Sequence, residues 1–357
     1  MLVNEVLHGD ARILLPELAA TGYGEGFRLA YADPPFNTRR SDRGPFRDQR
    51  TAAEWADLIK DVAAGVMPLL SQDGSFWLHV NDRQLGAAQG ACDAVFGHEH
   101  FVGTISWERT RRPSYLPGQP LASTTDFILI YAKDPRSLRP FTAGTTEAGK
   151  RVPIAHRGNP ITRLQFPIGA VRFTCADGLY QAGDHSTSGI DVRLTEDVRV
   201  NDGRNTTPLS LTLPSRYSQA TVHGMLNEGA EFLIPRRPFR PSYLSPGGKP
   251  KAVSNIWSWR LDDNMPTNED AYKEQLLAGM SPFPFAKPVG LLTRILEVAT
   301  EPDDVVLDPF AGSGTTALAA VRTGRKYVLI EEHNSTIKNF IQPRLIGSRG
   351  NGPETGQ

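Results

Sequence analysis

The chain has 357 residues, with 39 Lys+Arg balanced by 39 Asp+Glu, 39% apolar residues, 28 Pro and 33 Gly. That length suits two domains or one α/β domain with a large insertion, and the apolar content is enough for an ordinary core. The balanced charge excludes a disordered polyelectrolyte, and two cysteines (Cys92 and Cys175) exclude a disulfide framework and favour a reducing compartment. No apolar run approaches the ~18 residues of a membrane span, and the N-terminus enters a strand-like run with no basic-then-apolar leader, which predicts a cytoplasmic protein.

In chain order, Val3–Leu7 and Phe27–Ala32 read as strands, separated by a helical pattern in Ala11–Leu18. Thr51-Ala-Ala-Glu54 is a capping box, and Trp55, Leu58, Ile59, Val62 and Val66 follow at helical spacing. Asp73-Gly74 predicts a turn into a strand at Ser75–Val80, followed by a helix over Asp82–Phe96 that stops at Gly97. Val102–Trp107 and Phe127–Ala132 are two further strands, so residues 1–133 predict part of a largely parallel, helix-flanked sheet. From 134 to 282 the rhythm gives way to Pro, Gly, Arg, Ser and Thr with short β-like pieces such as Ala170–Thr174 and Glu231–Pro235, which predicts an irregular β-containing insertion. Alternation resumes over 283–346 with a helix at Pro288–Ala299, a strand at Asp304–Leu307, a helix at Gly314–Thr323, a strand at Lys326–Ile330 and a last helix from Asn334. Residues 347–357 predict a disordered tail.

Val305-Val-Leu-Asp-Pro-Phe-Ala-Gly-Ser-Gly-Thr-Thr316 reads as a strand, an acid, a glycine-rich turn and a helix start, placed where a doubly wound sheet holds its cofactor. Glu331 ends the next strand, where a carboxylate can accept hydrogen bonds from both ribose hydroxyls. The loop has no Lys after its glycines, so it is not a P-loop and a nucleotide hydrolase is disfavoured, and Ala317 stands where a dinucleotide loop has its third glycine. A nucleoside cofactor without a pyrophosphate, S-adenosyl-L-methionine, suits these residues.

At the other end of the chain, Asp33-Pro34-Pro35-Phe36 closes the second strand. Each proline fixes its own φ and holds the preceding residue extended, so Asp33 and the Pro34 carbonyl are rigid acceptors. An exocyclic amine of adenine or cytosine is a poor nucleophile because its lone pair is delocalised into the ring. Two fixed acceptors, one per N–H, draw it toward tetrahedral geometry and stabilise the charge that develops on transfer. Phe36 is suited to stacking on a base turned out of its helix.

Together these motifs, with Leu70–Ser75, His79–Asp82, Phe96-Gly97, Trp107 and Ala286-Lys287-Pro288, resemble the β class of amino-methylating DNA methyltransferases, among them type III restriction–modification modification subunits and solitary adenine-N6 enzymes. The resemblance covers 4–132 and 255–333. It implies an α/β, Rossmann-like methyltransferase sheet, circularly permuted, with the target recognition domain inserted between a catalytic half (1–133) and a cofactor-binding half (283–346). It further implies base flipping in double-stranded DNA and direct in-line transfer to adenine N6. Carried over, Asp33, Pro34, Pro35 and Phe36 are catalytic. Asp308, Pro309, Phe310, Ala311, Gly312, Gly314 and Thr315 line the cofactor, Lys287 and Pro288 flank its methionine end, and Glu331 takes the ribose. Asp10 either contacts the cofactor adenine or caps the following helix. Phe36 replaces the usual tyrosine, and the chain is shorter than type III subunits, which favours a solitary enzyme. Asp at the head of the tetrapeptide favours N6-adenine over N4-cytosine. Other readings are an RNA methyltransferase and a non-catalytic DNA-binding protein.

Arg39, Arg40 and Arg43, with Arg47 and Arg50, crowd the loop after Phe36 and predict phosphate contacts, as do Arg109, Arg111 and Arg112. Arg236, Arg237 and Arg240, with Lys249, Lys251, Phe239 and Tyr243, suit a DNA-reading surface in the insertion. Residues 134–260 hold 17 Lys+Arg and 10 Asp+Glu, the remainder 22 and 29, so the neutral total conceals a basic insertion on an acidic scaffold. His98-Glu99-His100 at a helix end is read as exposed polar sequence, since the chemistry needs no metal; Trp77, Trp107, Trp257 and Trp259 are read as core or junction residues. A homodimer and a restriction endonuclease subunit are the candidate protein partners, and the expected location is the nucleoid, away from membrane.

Overall fold

Along Phe27–Ala32 the side chains of Leu29 and Tyr31 enter one apolar cluster and those of Phe27, Ala30 and Ala32 another, all buried. A strand buried on both faces belongs in a sheet covered on both sides. The computed structural model shows that sheet. It describes residues 3–36, 50–113, 120–186, 189–236, 239–277 and 282–350, and divides into two units, Met1–Ala143 with Ala252–Gln357, and Gly144–Lys251.

The first unit contains β1 (Glu5–His8), α1 (Ala11–Leu18), β2 (Phe27–Ala32), α2 (Ala52–Val66), β3 (Leu70–Asn81), α3 (Leu85–Phe96), β4 (Phe101–Glu108) and β5 (Thr125–Ala132). After the second unit come β6 (Ile256–Trp257), α4 (Asn268–Leu277), α5 (Val289–Ala299), β7 (Val305–Asp308), α6 (Thr315–Arg322), β8 (Lys326–Glu331) and α7 (Gln342–Gly350). The sheet order is β1-β8-β7-β2-β3-β5-β4-β6. Every pair is parallel except those of β5, which runs antiparallel to β3 and β4. The last two strands of the chain thus insert between the first two.

Helices α1, α2 and α3 cover one face through Leu15, Trp55, Ile59, Val62, Ala88 and Cys92. Helices α5 and α6, with Ile337 and Ile341, cover the other. Trp77, Trp107 and Trp257 are fully buried there, while Trp259 is half-buried under the guanidinium of Arg260.

Several elements differ from the sequence expectation. Strand β3 begins at Leu70, so Asp73-Gly74 lies inside it; a Cβ at Gly74 would sit 2.8 Å from the Phe27 carbonyl, and only glycine lets the two backbones approach there. Segment 252–282 belongs to the first unit, and the second spans 144–251 rather than 134–282. Helix α4 went unread because its sequence, Asn-Glu-Asp-Ala-Tyr-Lys-Glu-Gln-Leu-Leu, buries only Ala271 and Gln275 and shows no apolar stripe. Helix α7 reaches Gly350, so the tail expected from 347 is helical at its start.

The second unit is more regular than expected. Its described residues form a seven-stranded sheet, a four-stranded sheet paired over Ile161–Phe166 and Leu209–Pro214, and a helix, Gln219–Asn227. Leu164, Phe166, Val171, Leu211, Phe232 and Phe239 belong to a core of its own. Among the described residues no helix is long and apolar enough to cross a membrane.

The capping box of α2 is complete: Thr51 Oγ1 accepts from Glu54 N at 3.2 Å and Glu54 Oε2 accepts from Thr51 N at 2.7 Å. Thr51→Ala removes one half of it and is expected to cost about 1 kcal/mol, read as a fall of ~2–4 °C in melting temperature. An unchanged melting curve would show that the cap contributes nothing.

Candidate active site

Strands β1, β8, β7 and β2 are mutually parallel neighbours, so their C-terminal ends meet at one edge of the sheet. That edge is where open α/β sheets bind ligands. The residues just beyond or at these ends are Asp10, Glu331, Asp308 and Asp33, and all four line one cavity of about 620 Å³. This volume lies within the range of small-molecule sites, roughly 300–1,000 Å³.

The Asp33–Phe36 segment is pinned from both sides. Trp55 Nε1 on α2 donates to the Pro35 carbonyl at 2.7 Å, and Gln84 Nε2 donates to the Phe36 carbonyl at 3.3 Å. Among the described residues no hydrogen bond reaches the Pro34 carbonyl. Lys287 Nζ donates to both oxygens of Asp33, at 2.8 and 2.9 Å, and lies 4.5 Å from the centroid of the Phe36 ring. The lysine, expected to flank a cofactor, lines the cavity, and its ammonium is tied to the tetrapeptide. Its backbone carbonyl accepts from Thr315 Oγ1 at 3.2 Å, so one residue bridges the two motifs from opposite ends of the chain.

The glycine loop is built around its acids. Asp308 accepts from Phe310 N at 2.9 Å and from the Thr316 hydroxyl, and is buried. Burial pushes its pKa up to about 7 against the pull of those hydrogen bonds. Glu331 Oε2 accepts from Gly312 N at 2.9 Å and Oε1 from His333 N at 3.0 Å, and burial raises its pKa as well. Two backbone donors leave this carboxylate with unused acceptor capacity beside the cavity. Gly312, at φ 50°, lines the cavity, whereas Gly314, expected there, does not. At φ 75° it caps α6, and a Cβ would come 3.1 Å from Ile341. Pro288 likewise is absent from the cavity wall and caps α5. Buried Arg344 of α7 donates to the Ser313 carbonyl at 2.9 Å and to Thr315 Oγ1 at 3.2 Å, bracing the loop from behind.

Asp10 lines the cavity and also caps α1, accepting from Arg12 N at 2.8 Å. The Arg12 side-chain hydrogen bond holds its carboxyl below the ordinary range. The capping expectation for Asp10 is met, and its place on the cavity wall is compatible with the other.

A buried polar chain behind Phe36 escaped the sequence reading. Tyr31 Oη lies 2.8 Å from His79 Nδ1, His79 Nε2 lies 3.4 Å from Asp126, and Asp126 Oδ1 pairs with Arg109 Nε at 3.1 Å. Burial depresses the His79 pKa, so the ring is neutral at pH 7. The signal was the antiparallel β5, whose first residues return to the edge where β3 ends, opposing Asp126 to Asn81.

Of the arginines read as DNA contacts, Arg39, Arg40, Arg43 and Arg237 lie outside the described residues. Arg109 belongs to the buried chain and also donates to the Ser123 carbonyl at 2.8 Å. It is a structural cation as much as a surface one, with 30% of its side chain exposed. Arg111 pairs with Asp270 at 3.4 Å, while Arg112 and Arg236 are exposed and Arg240 is half-buried. His98 and His100 bond separately to Asp93 and the Ala132 carbonyl.

A protein family described as DNA methylase, of the N6/N4 type, matches residues 27–342. The Mod subunit of the type III restriction-modification enzyme StyLTI from Salmonella typhimurium is 25% identical over 353 residues, covering 89% of this chain and 50% of that protein. The chain thus spans half the length of that relative. The DNA adenine methyltransferase YhdJ from Escherichia coli K12 is 49% identical over 65 residues, 18% of this chain and 22% of that one. Among solved structures, PvuII DNA methyltransferase (cytosine-N4-specific) aligns over 99% of this chain and 88% of its own, at 15% identity and TM-score 0.49.

Asp308 gives the site a pH signature. A carboxyl whose pKa is raised on folding favours the folded state when protonated, so its contribution is present below the ordinary carboxylate range and is lost as pH rises to about 7. Asp308→Asn keeps an acceptor for Phe310 N and cannot ionise. Between pH 4 and 7 the melting temperature of the parent should fall by several degrees relative to that of the variant, the other carboxyl groups contributing equally to both; a constant difference would contradict the assignment.

Proposed function

This chain belongs to the N6/N4 DNA methylase family, and from that premise we propose that it methylates the exocyclic N6 of adenine in double-stranded DNA, using S-adenosylmethionine as the methyl donor. The observation that carries this reading is the meeting, in one cavity, of the rigid Asp33–Phe36 acceptor segment with the glycine loop and Glu331. The residues fit the cofactor. Glu331 is held by two backbone donors with acceptor capacity left for a diol, Gly312 keeps the wall low, and Lys287, which lines the cavity, is committed to Asp33.

S-adenosylmethionine supplies an activated methyl group when bound. The chain's own residues do the rest. Asp33 and the Pro34 carbonyl accept the two N–H groups of the amine, which localises its lone pair. The carboxylate of Asp33 then stabilises the positive charge that grows on nitrogen. The face of Phe36 receives the flipped base, and the hydrogen bonds from Trp55 and Gln84 hold the segment still while it does so. Phenylalanine serves here because stacking needs the ring and not a hydroxyl.

The second unit is the proposed DNA-reading part. Its 144–251 segment carries 14 Lys+Arg and 9 Asp+Glu against an acidic remainder, and phosphate attraction supplies the sequence-independent share of DNA affinity. Adenine is favoured over cytosine by the Asp at the head of the tetrapeptide and by the local match to a relative named as an adenine enzyme. A cytoplasmic, nucleoid-bound enzyme follows from that substrate. Homodimers and a restriction subunit are the partners to look for.

Expression in a methylation-free bacterial host, followed by single-molecule sequencing and nucleoside analysis, tests the reading. N6-methyladenine at one sequence motif is expected. N4-methylcytosine in its place would overturn the choice of base, and neither product would overturn the methyltransferase assignment. Asp33→Ala should lower the methylation rate at least a hundredfold with the fold intact, and Phe36→Ala about tenfold or more, whereas Phe36→Tyr should remain active.

A further inference from the structure

The Asp33 carboxylate and the Phe36 ring are already engaged, and by a single group. The Lys287 ammonium sits 2.8 and 2.9 Å from the two Asp33 oxygens and 4.5 Å from the Phe36 centroid, with only 8% of its side chain exposed. These are the two contacts that a flipped base makes in the reading above, an N–H donor to Asp33 and a partner over the ring. We propose that Lys287 is an internal stand-in for the target amine, occupying its place in the closed site and exchanging with it when a base enters. The proposal rests on the reading of Asp33–Phe36 as the amine pocket.

Three features support exchange over simple coexistence. The first is space, since an ammonium above Phe36 covers the face on which the base must stack. The second is charge. The amine nitrogen becomes positive during transfer, and a lysine cation fixed to the same carboxylate opposes that build-up and spends the stabilisation that Asp33 would give it. The third is the lysine's own geometry. Its backbone is held independently, by Thr315 Oγ1 on the carbonyl and by the start of α5 at the next residue, so the four-carbon stem can swing without moving the wall. In the closed state the pair shields Asp33, itself 22% exposed, and keeps its carboxylate aimed into the cavity. The groups around the ammonium from other elements are Asp33, Phe36, and the His79 and Asp126 of the buried chain, whose titration responds to its charge. Lys287 is on this account a positioning residue that acts through Asp33.

The test uses the full chain and a duplex carrying the methylated sequence, with the target adenine kept and 2-aminopurine placed beside it in the same strand; the probe's fluorescence rises when its adenine neighbour leaves the stack. Product analysis of the unsubstituted duplex with the parent enzyme comes first, and absence of methylated adenine there tells against the pocket reading itself. With cofactor omitted, Lys287→Met should raise the fluorescence of bound duplex at least threefold over the parent, while Lys287→Arg, which keeps a cation on Asp33, should stay near it. Equal or lower fluorescence in Lys287→Met overturns the exchange while leaving the methylation reading in place. A crystal structure of the parent with DNA and S-adenosylhomocysteine decides independently of any variant. Nζ beyond ~4 Å from both Asp33 oxygens is expected; Nζ still paired at its present distances with a base in the pocket overturns the proposal.

Discussion

Four carboxylates are brought to one edge of the sheet, and the way each is compensated determines what the site can do. Asp10 is answered by Arg12, Glu331 by the amides of Gly312 and His333, Asp308 by Phe310 N and the Thr316 hydroxyl, and Asp33 by Lys287. Backbone donors and hydroxyls do not move, so Glu331 and Asp308 are permanent parts of the wall. A lysine on a flexible stem can swing away, and Asp33 is the acid that the proposed chemistry asks to change partners.

That convergence depends on strand order. Because β7 and β8 enter between β1 and β2, motifs separated by nearly the whole chain become neighbours, and Lys287 reaches Asp33 across 254 positions. The antiparallel β5 adds the second layer. It delivers Asp126 behind Phe36, where the chain from Tyr31 to Arg109 fills a space that an apolar core would otherwise occupy.

In the proposed reading the two units divide the labour. The first, acidic in total, supplies the acceptors at the cavity, and the second, with its own core and an excess of basic residues, is the part suited to a polyanion. A neutral whole is thus compatible with a proposed nucleic-acid substrate.

The amino-acid sequence by itself determined the family-bearing motifs, because their function lies in local backbone chemistry. Proline rigidity at Asp33-Pro34-Pro35, the glycine turn at Gly312 and the acids that close strands are properties of a few adjacent residues. The capping box at Thr51 and the buried tryptophans were legible for the same reason. Helix α4 and strand β6 were not, since α4 carries no apolar stripe and β6 is two residues long; both hold their places through contacts with distant elements. The ion pairs of Lys287 and Arg109 were not legible, nor were the places of Gly314 and Pro288 at helix starts, because a sequence shows which groups are present and not which partner a long side chain will find. Only the tertiary structure decided those partnerships, since ion pairs and buried hydrogen bonds are set by distances across strands that meet nowhere in the sequence.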